Sequence, residues 1–305
     1  MPNREDYPAE QHTVDITELA VLGEQFPLRL MQLGFRLMQV LNETKRDLYR
    51  YVLPPVCEIP AGPFLMGSDK RRDPHALKDE RPQQEIILPT FQIGVYPLTY
   101  AEYAYADEVG DTAEYTCADD SGIATAMWYW KYQLDRPVDS ISWHQAMGYA
   151  AWLSSVTGQT WRLPTEAEWE KAARGTDGRI YPWGDQWDPT RANIRGSDRG
   201  GHLFTTPVGS YPQGASPYGS LDMAGNVSEW TSSRHRLDQP YRHEQAVKDA
   251  RSLSARVQSH RVHRGGSYMD EPENVRAAYR GREDPINFLD TLGMRLVLDV
   301  GAATV

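Results

Sequence analysis

Two glycine-containing motifs near the C-terminus constrain the fold more than any other part of the chain. Residues 264–267 read Arg-Gly-Gly-Ser, and residues 292–297 read Leu-Gly-Met-Arg-Leu-Val. Adjacent glycines suit positive φ angles or the close approach of a second backbone segment, which limits what can surround them. Apolar and polar residues alternate over 294–298, which predicts a closing β-strand. The stretch between the motifs, 268–291, follows neither a helix nor a strand period, so we expect a surface insert held by a rigid frame.

The composition limits the class of protein. Among 305 residues there are 24 Gly, 21 Pro, 17 Tyr and 9 Trp, which favours a turn-rich fold with aromatic anchors over a helical bundle. The net charge of −10 argues against a nucleic-acid partner. The two cysteines, Cys57 and Cys117, exclude a disulfide framework and a cysteine-rich metal site. The first residues are polar and no apolar run reaches membrane-spanning length, so we expect a cytoplasmic protein with no membrane partner.

The N-terminal part predicts a polar tail followed by one buried helix. Pro27 suits the first position of a helix. Polar residues then form a narrow stripe in an otherwise apolar segment: Arg29, Gln32, Arg36 and Gln39. A helix over 26–41 would bury most of its circumference against the main domain, a second copy of the chain or another partner, and we favour the main domain. The charged residues 42–53 extend or follow this helix, and a Pro-Pro pair then separates the segment 1–53 from a domain over 54–305.

Capping signals predict the helices within the larger domain. The pattern Thr-x-x-Glu at 99–102 and at 165–168 is a capping box, in which the threonine oxygen and the glutamate carboxylate each accept from the other's backbone amide. Gly110 and Gly175 are suitable stops for these two helices. A serine at position 142 can cap a further helix that runs to about residue 156.

Short motifs rich in Gly, Pro and Trp follow one another from residue 54 to residue 299. They are Ile59-Pro60-Ala61-Gly62, Phe64-Leu65-Met66-Gly67-Ser68, Pro137-Val138 with Ser142-Trp143, Trp161-Arg162-Leu163-Pro164-Thr165-Glu166-Ala167-Glu168-Trp169-Glu170, Tyr181-Pro182-Trp183-Gly184, Pro207-Val208-Gly209-Ser210, Gly225-Asn226-Val227-Ser228-Glu229-Trp230 and Arg264-Gly265-Gly266-Ser267. In this order and spacing they resemble the formylglycine-generating enzyme, or sulfatase-modifying factor, family. The resemblance implies an α+β, C-type lectin-like fold that is loop-rich, with two main helices and short antiparallel sheets, to which the N-terminal helix would be added.

The resemblance also shows which of the family's chemistries this chain lacks the residues for. The family's oxidising enzymes hold copper on two cysteines just after the Arg-Gly-Gly-Ser motif, and the matching positions here are Asp270 and Val275. Neither side chain supplies the thiolate that Cu(I) prefers, so we expect no copper and no formylglycine generation. A second branch of the family places iron on three histidines, partly from an N-terminal helical domain. His12 is the only histidine in that part of the chain, so we expect no iron.

A calcium site is the one ion site that the resemblance implies. In the family, the Gly-Asn-x-x-Glu-Trp loop wraps Ca²⁺ with side-chain and backbone oxygens. The matching ligands would be the side chains of Asp222 and Glu229 and the carbonyls of Gly225 and Val227. Hard oxygen ligands in a tight loop suit Ca²⁺. Hydrogen bonding within the loop, without metal, is the alternative interpretation.

One non-enzymatic branch that this chain resembles is the variable proteins of diversity-generating retroelements, whose diversified residues lie in the C-terminal stretch. The resemblance implies a ligand-binding protein that displays chemically mixed side chains over 268–291, within a variable region at 264–297, to an unidentified protein or other macromolecule. The expected ligand-binding residues are Tyr268, Met269, Asp270, Glu271, Glu273, Gly281, Arg282, Glu283, Ile286, Phe288, Leu289, Asp290 and Thr291.

Two alternatives stay open. The chain could be an enzyme or maturation factor of the same family that works without the copper cysteines, and a clustered pocket with a perturbed carboxyl or histidine would favour this. It could also be a scaffold or signalling module that docks partners through 26–41.

Overall fold

The computed structural model describes residues 12–13, 28–42, 47–108, 133–196, 204–235 and 259–300. The helices in these ranges are α1 (Leu28–Gln32), α2 (Tyr100–Glu108), α3 (Trp143–Thr157) and α4 (Glu166–Arg174). The strands are β1 (His12–Thr13), β2 (Arg36–Asn42), β3 (Asp47–Leu53), β4 (Val56–Ile59), β5 (Gly62–Met66), β6 (Gln84–Leu88), β7 (Phe91–Gly94), β8 (Trp161–Arg162), β9 (Ser228–Arg234), β10 (Arg261–Arg264), β11 (Gly281–Glu283), β12 (Leu292–Met294) and β13 (Val297–Leu298). The predicted helix stop at Gly110 lies outside the described residues.

The strands form several small sheets. Their orders are β1-β2-β3, β11-β10-β9-β12, β4-β7-β13-β8 and β5-β6. Neighbours run antiparallel except for β12 and β9, which run parallel. Between α4 and β9 the described residues contain one short 3-10 helix and otherwise irregular backbone. This is the α+β, loop-rich architecture with short sheets that the sequence predicts.

The prediction of one helix over 26–41 is wrong, because only Leu28–Gln32 are helical. Gln32 is the last helical residue, Gly34 takes a φ of 92°, and β2 then pairs with β3 along its whole length. Leu37 joins one buried apolar cluster and the next residue, Met38, joins another. A strand that is buried on both faces loses the alternation of polar and apolar residues, so it reads as a buried helix would.

Residues 47–53 form β3 and are likewise not helical. Tyr51 and Leu53 lie in the same buried cluster as Trp143 and Trp152 of α3. The hairpin therefore packs against the main domain, which is the alternative favoured from the sequence. The domain boundary between residues 53 and 54 stays a prediction, as does association of the segment with a partner.

The capped helices form as predicted. Ser142 Oγ accepts from the Gln145 amide at 3.2 Å, and Gln145 Oε1 accepts from the Ser142 amide at 2.7 Å. Thr165 and Glu168 make the same reciprocal pair at the start of α4, with distances of 3.2 Å and 2.7 Å. The box at 99–102 also closes, at the start of α2. Such signals are reliable because both partners lie within one helical turn of each other.

The segment 294–298 is not one strand. β12 ends at Met294 and β13 begins at Val297, in a different sheet. The polar residue between them, Arg295, is fully buried. It forms an ion pair with Glu229 of β9 at the point where the chain passes from one sheet to the next. Among the described helices none has both the length and the apolarity to cross a membrane, and the cytoplasmic location stays a prediction.

Candidate functional site

The inner side of the insert 268–291 is fixed by a buried arginine of β10. Arg264 donates to the carbonyl oxygens of Ala277, Ala278 and Tyr279 at 2.8–3.0 Å. Its guanidinium also forms an ion pair with Glu170 of α4. Charge-assisted hydrogen bonds in a dry environment are strong and directional, so this arginine sets the path of the backbone through the middle of the insert.

Two arginines of the insert point inward as well. Arg276 donates to both carboxylate oxygens of Glu80 at 2.7 Å and to Asp73 at 2.6 Å. Arg280 donates to both oxygens of Glu166 at 2.8 and 3.0 Å. Both guanidinium groups form ion pairs with buried carboxylates, so they do not neutralise the carboxylates on the exposed side of the insert.

The outer loop of the insert is held through its own backbone. The carbonyl oxygen of Pro285 accepts from the Trp143 amide at 3.1 Å, and that of Leu289 accepts from the Ser140 amide at 3.0 Å. At the end of the loop a third carbonyl, from residue 291, accepts from the Ser228 amide at 2.8 Å. Every residue type supplies a carbonyl oxygen, so these bonds place no demand on the side chains of 286–290.

The predicted ligand-binding residues divide into three groups by exposure. The exposed ones are Met269, Glu271, Glu273, Arg282, Ile286, Phe288, Leu289 and Asp290. The half-buried ones are Asp270, Glu283 and Thr291, and the buried ones are Tyr268 and Gly281. Apolar exposure is large, at 65% for Ile286, 50% for Met269, 48% for Phe288 and 42% for Leu289. Contact of these residues with a ligand stays a prediction.

Some of the predicted ligand-binding positions are instead required by the fold. A Cβ atom on Gly281 would lie 2.0 Å from the imidazole Cε1 of His263, so no other residue fits there without displacing the ring. Asp270 Oδ2 accepts from the amide and the hydroxyl of Ser267 at 2.8 and 2.7 Å, which closes the turn after the Arg-Gly-Gly-Ser motif. The sequence does not separate such residues from exposed ones, because the whole insert is mixed in composition.

The structure brings a carboxyl group to this surface that the sequence analysis missed. Asp139 Oδ1 accepts from the Tyr100 hydroxyl at 2.9 Å and from the Ser140 hydroxyl at 3.0 Å. Burial, with the nearby Asp290 carboxylate, raises the pKa of Asp139 to about 6, although both hydrogen bonds oppose the shift. The pKa of Tyr268 rises to about 12, through burial and through the carboxylates of Asp290 and Asp139. The backbone next to Asp139 is unusual, because Ser140 is a non-glycine residue with a positive φ of 56°, but no sequence pattern reveals this conformation.

The two carboxylates among the predicted calcium ligands accept hydrogen bonds within the protein, and calcium binding itself stays a prediction. Glu229 accepts from Arg295 on both carboxylate oxygens at 2.9 Å and from the Trp169 indole at 2.7 Å. Asp222 accepts from the Gly209 amide at 2.8 Å, and burial raises its pKa to about 6. A carboxylate that is neutralised by a bidentate arginine does not fit a Ca²⁺ ligand. The expected contribution of the Gly225 and Val227 carbonyls stays a prediction.

The residues present do not fit the family's redox metals either. At the positions of the copper cysteines, Asp270 closes the turn described above and Val275 is a buried apolar side chain. Within the described ranges, no three His, Cys, Asp or Glu residues are grouped so that they could hold a metal ion. His263 is enclosed, and burial lowers its pKa to about 4.

Several named proteins are similar in amino-acid sequence to most of this chain. The hercynine oxygenase of Mycolicibacterium smegmatis is 33% identical over 280 residues, which is 79% of this chain and 60% of the relative. The inactive C-alpha-formylglycine-generating enzyme 2 of Mus musculus is 28% identical over 295 residues, which is 81% of this chain and 87% of the relative. The chain thus spans about three-fifths of the length of the hercynine oxygenases that it matches.

Solved structures share the fold. The chain superposes on PvdO from Pseudomonas aeruginosa with a TM-score of 0.64 and 26% identity, over 81% of this chain and 95% of the other. It superposes on the variable protein 1 of Treponema denticola with a TM-score of 0.61 and 20% identity, over 82% and 96%. These similarities confirm the predicted fold class. The sulfatase-modifying factor enzyme 1-like domain matches residues 45–300, and the chain belongs to that family.

Proposed function

We propose that this protein is a non-enzymatic ligand-binding member of its family, and that the exposed side chains of 268–291 contact a protein or other macromolecule. The observation that carries the proposal is the way the outer loop is anchored. Its backbone is held at Pro285, Leu289 and Thr291 through carbonyl oxygens, while the side chains of Ile286 and Phe288 point to solvent. Such a loop can change its side chains and keep its shape, which is what a diversified binding surface requires.

The exposed residue types suit recognition. Phe288, Met269 and Arg282 are of the kinds found at the energetic centres of interfaces. Monomeric proteins seldom expose several large apolar side chains in one short loop without a partner. The likeness to the Treponema denticola variable protein, at 20% identity, shows the fold alone, so the proposal rests on this surface.

The diversification part of the proposal is tested in the DNA that flanks the gene. A near-copy of the segment that encodes 264–297, differing where the copy has adenine, is expected beside a reverse transcriptase gene. Its absence would contradict diversification and leave a binding protein with a fixed surface.

The separation of surface from scaffold is tested with two variants. The first variant replaces six exposed residues by serine at once: Met269, Arg282, Ile286, Phe288, Leu289 and Asp290. It should change the free energy of unfolding by no more than about 2 kcal/mol. The control is Arg276→Ser, which leaves Asp73 and Glu80 as buried, unpaired carboxylates and should cost about 3–5 kcal/mol. Equal losses in both variants would contradict the proposal.

A second candidate function is an enzyme of the family. Two observations favour it: the relatives named hercynine oxygenase at 33% identity, and a carboxyl with a raised pKa, Asp139, beside the exposed insert. The test is oxygen consumption by the full chain with hercynine, with Asp139→Asn as control. Turnover that Asp139→Asn removes would support this candidate over the first.

A further inference from the structure

The outer loop and Asp139 together form a surface that we call the acidic face, defined as Asp139 and residues 283–290. They meet through the hydrogen bond from the Ser140 amide to the Leu289 carbonyl oxygen. The apolar part of this face is the ridge of Ile286, Phe288 and Leu289, which are 65%, 48% and 42% exposed. A ridge of this kind offers anchors for a protein segment, whereas small molecules bind mostly in enclosed cavities.

The negative charge of the face is only partly compensated. Its carboxyl groups are those of Asp139, Glu283, Asp284 and Asp290. The neighbouring cations are Arg282 and Arg261, which faces Glu283 across the β10–β11 pair, so four minus two leaves a net charge of about −2. Among the described residues, neither Arg282 nor any of the four carboxylates forms an ion pair. The buried arginines Arg264, Arg276, Arg280 and Arg295 are paired with carboxylates of the core, and the guanidinium of Arg261 lies over the ring of Trp143.

Two of the carboxylates offer free oxygens to a ligand. Both donors to Asp139 bind its Oδ1, so within the described residues Oδ2 has no donor. Asp290 is exposed, and its carboxylate lies near enough to the Tyr268 hydroxyl to raise the pKa of that group. A cation placed between the two carboxylates would relieve their mutual repulsion, and the ring of Phe204, 6.5 Å from that of Tyr268, adds an apolar wall.

We propose that the acidic face binds a basic, apolar segment of a protein partner, and that a lysine or arginine of the partner lies between Asp139 and Asp290 while its apolar side chains cover Phe288. This identifies the partner class for the binding function proposed above and rests on that function. The complementarity of charge selects the partner, and burial of the ridge supplies most of the affinity.

The test uses random peptides displayed on phage, selected against the full chain and then measured against variants of it. Asp290→Lys reverses a charge on the face, and Phe288→Ala removes an apolar anchor. The matched controls are Glu85→Lys and Ile87→Ala on β6, where both side chains are exposed in a different sheet. Circular dichroism confirms that each variant is folded.

The expected result is enrichment of peptides rich in Lys or Arg with apolar neighbours. Their binding should weaken by about tenfold or more with Asp290→Lys and with Phe288→Ala, and not with the controls. Peptides that require Phe288 but are acidic or neutral, and that tolerate Asp290→Lys, would overturn the basic partner and leave the binding function in place. Peptides that bind the two face variants as well as the controls would overturn both.

Discussion

Removal of one carboxylate from the buried pair of Glu229 and Arg295 distinguishes a structural ion pair from a calcium site. Both side chains are fully buried, and three hydrogen bonds of 2.7–2.9 Å reach the Glu229 carboxylate, two from Arg295 and one from Trp169. Arg295 also donates to the carbonyl oxygens of Gly94, Val95 and Leu221 at 2.7–2.8 Å. In Glu229→Gln the carbonyls remain, but among the described residues the guanidinium loses its ion-pair partner, which should cost about 3–5 kcal/mol.

Urea denaturation of the wild type and of Glu229→Gln, each in excess calcium and in excess EGTA, measures this loss. The structural reading predicts the same loss in both buffers, since Arg295 is the group left unpaired. Glu85→Gln, which removes an exposed carboxylate, should stay within about 0.5 kcal/mol of wild type. The reasoning is refuted if EGTA destabilises the wild type and Glu229→Gln abolishes that dependence, because the carboxylate would then bind calcium.

Three further predictions follow from single buried positions. Burial raises the pKa of Glu102 to about 8 from an ordinary 4.5. The folded state therefore binds this proton more tightly than the unfolded state does, and the protein loses stability as the pH rises from 4.5 to 8. Glu102→Gln should stabilise the protein by up to about 3 kcal/mol at pH 7 and by almost nothing at pH 4, as measured by urea denaturation. Gly281→Ala should cost about 2–3 kcal/mol in the same assay, because its Cβ meets the imidazole of His263, and adding His263→Ala should recover part of the loss. Ser142→Ala removes the cap of α3 and should cost about 1 kcal/mol, while Ser142→Asp should not.

Helix starts could be predicted from the sequence, and the N-terminal hairpin could not. The boxes at 142–145 and 165–168 depend on contacts within one turn, so the local sequence contains all the information. The β2–β3 hairpin depends on two different apolar clusters that lie on its two sides. From the sequence alone, those two faces merge into one apolar run with a polar stripe, and that pattern also fits a helix.

The site was predictable as a region but not residue by residue. Its bounds follow from the two glycine motifs, whereas the role of each position depends on partners far along the chain. Arg276 meets Glu80 and Asp73, and Arg280 meets Glu166, across separations of 114 to 203 residues. The raised pKa of Asp139 likewise depends on burial and on Asp290, which is 151 residues further along the chain, and no spacing in the sequence reports such a contact.

The two ways of anchoring the insert also predict different patterns of sequence change for a diversified surface and for an ordinary loop under neutral sequence drift. Positions 276, 280 and 281 are fixed by their side chains, through ion pairs or a lack of space. Backbone carbonyls instead anchor the loop 286–290, and the side-chain hydrogen bond described within it is the one that Asn287 donates to Glu283. Diversification should therefore concentrate changes of residue type at 286–290, with Met269 and Arg282, and leave the first group unchanged. Drift would instead favour chemically similar exchanges, because each single change must preserve an existing contact. Sequencing this gene across a natural population measures the difference, and conservative changes spread evenly over the insert would contradict a diversified binding surface.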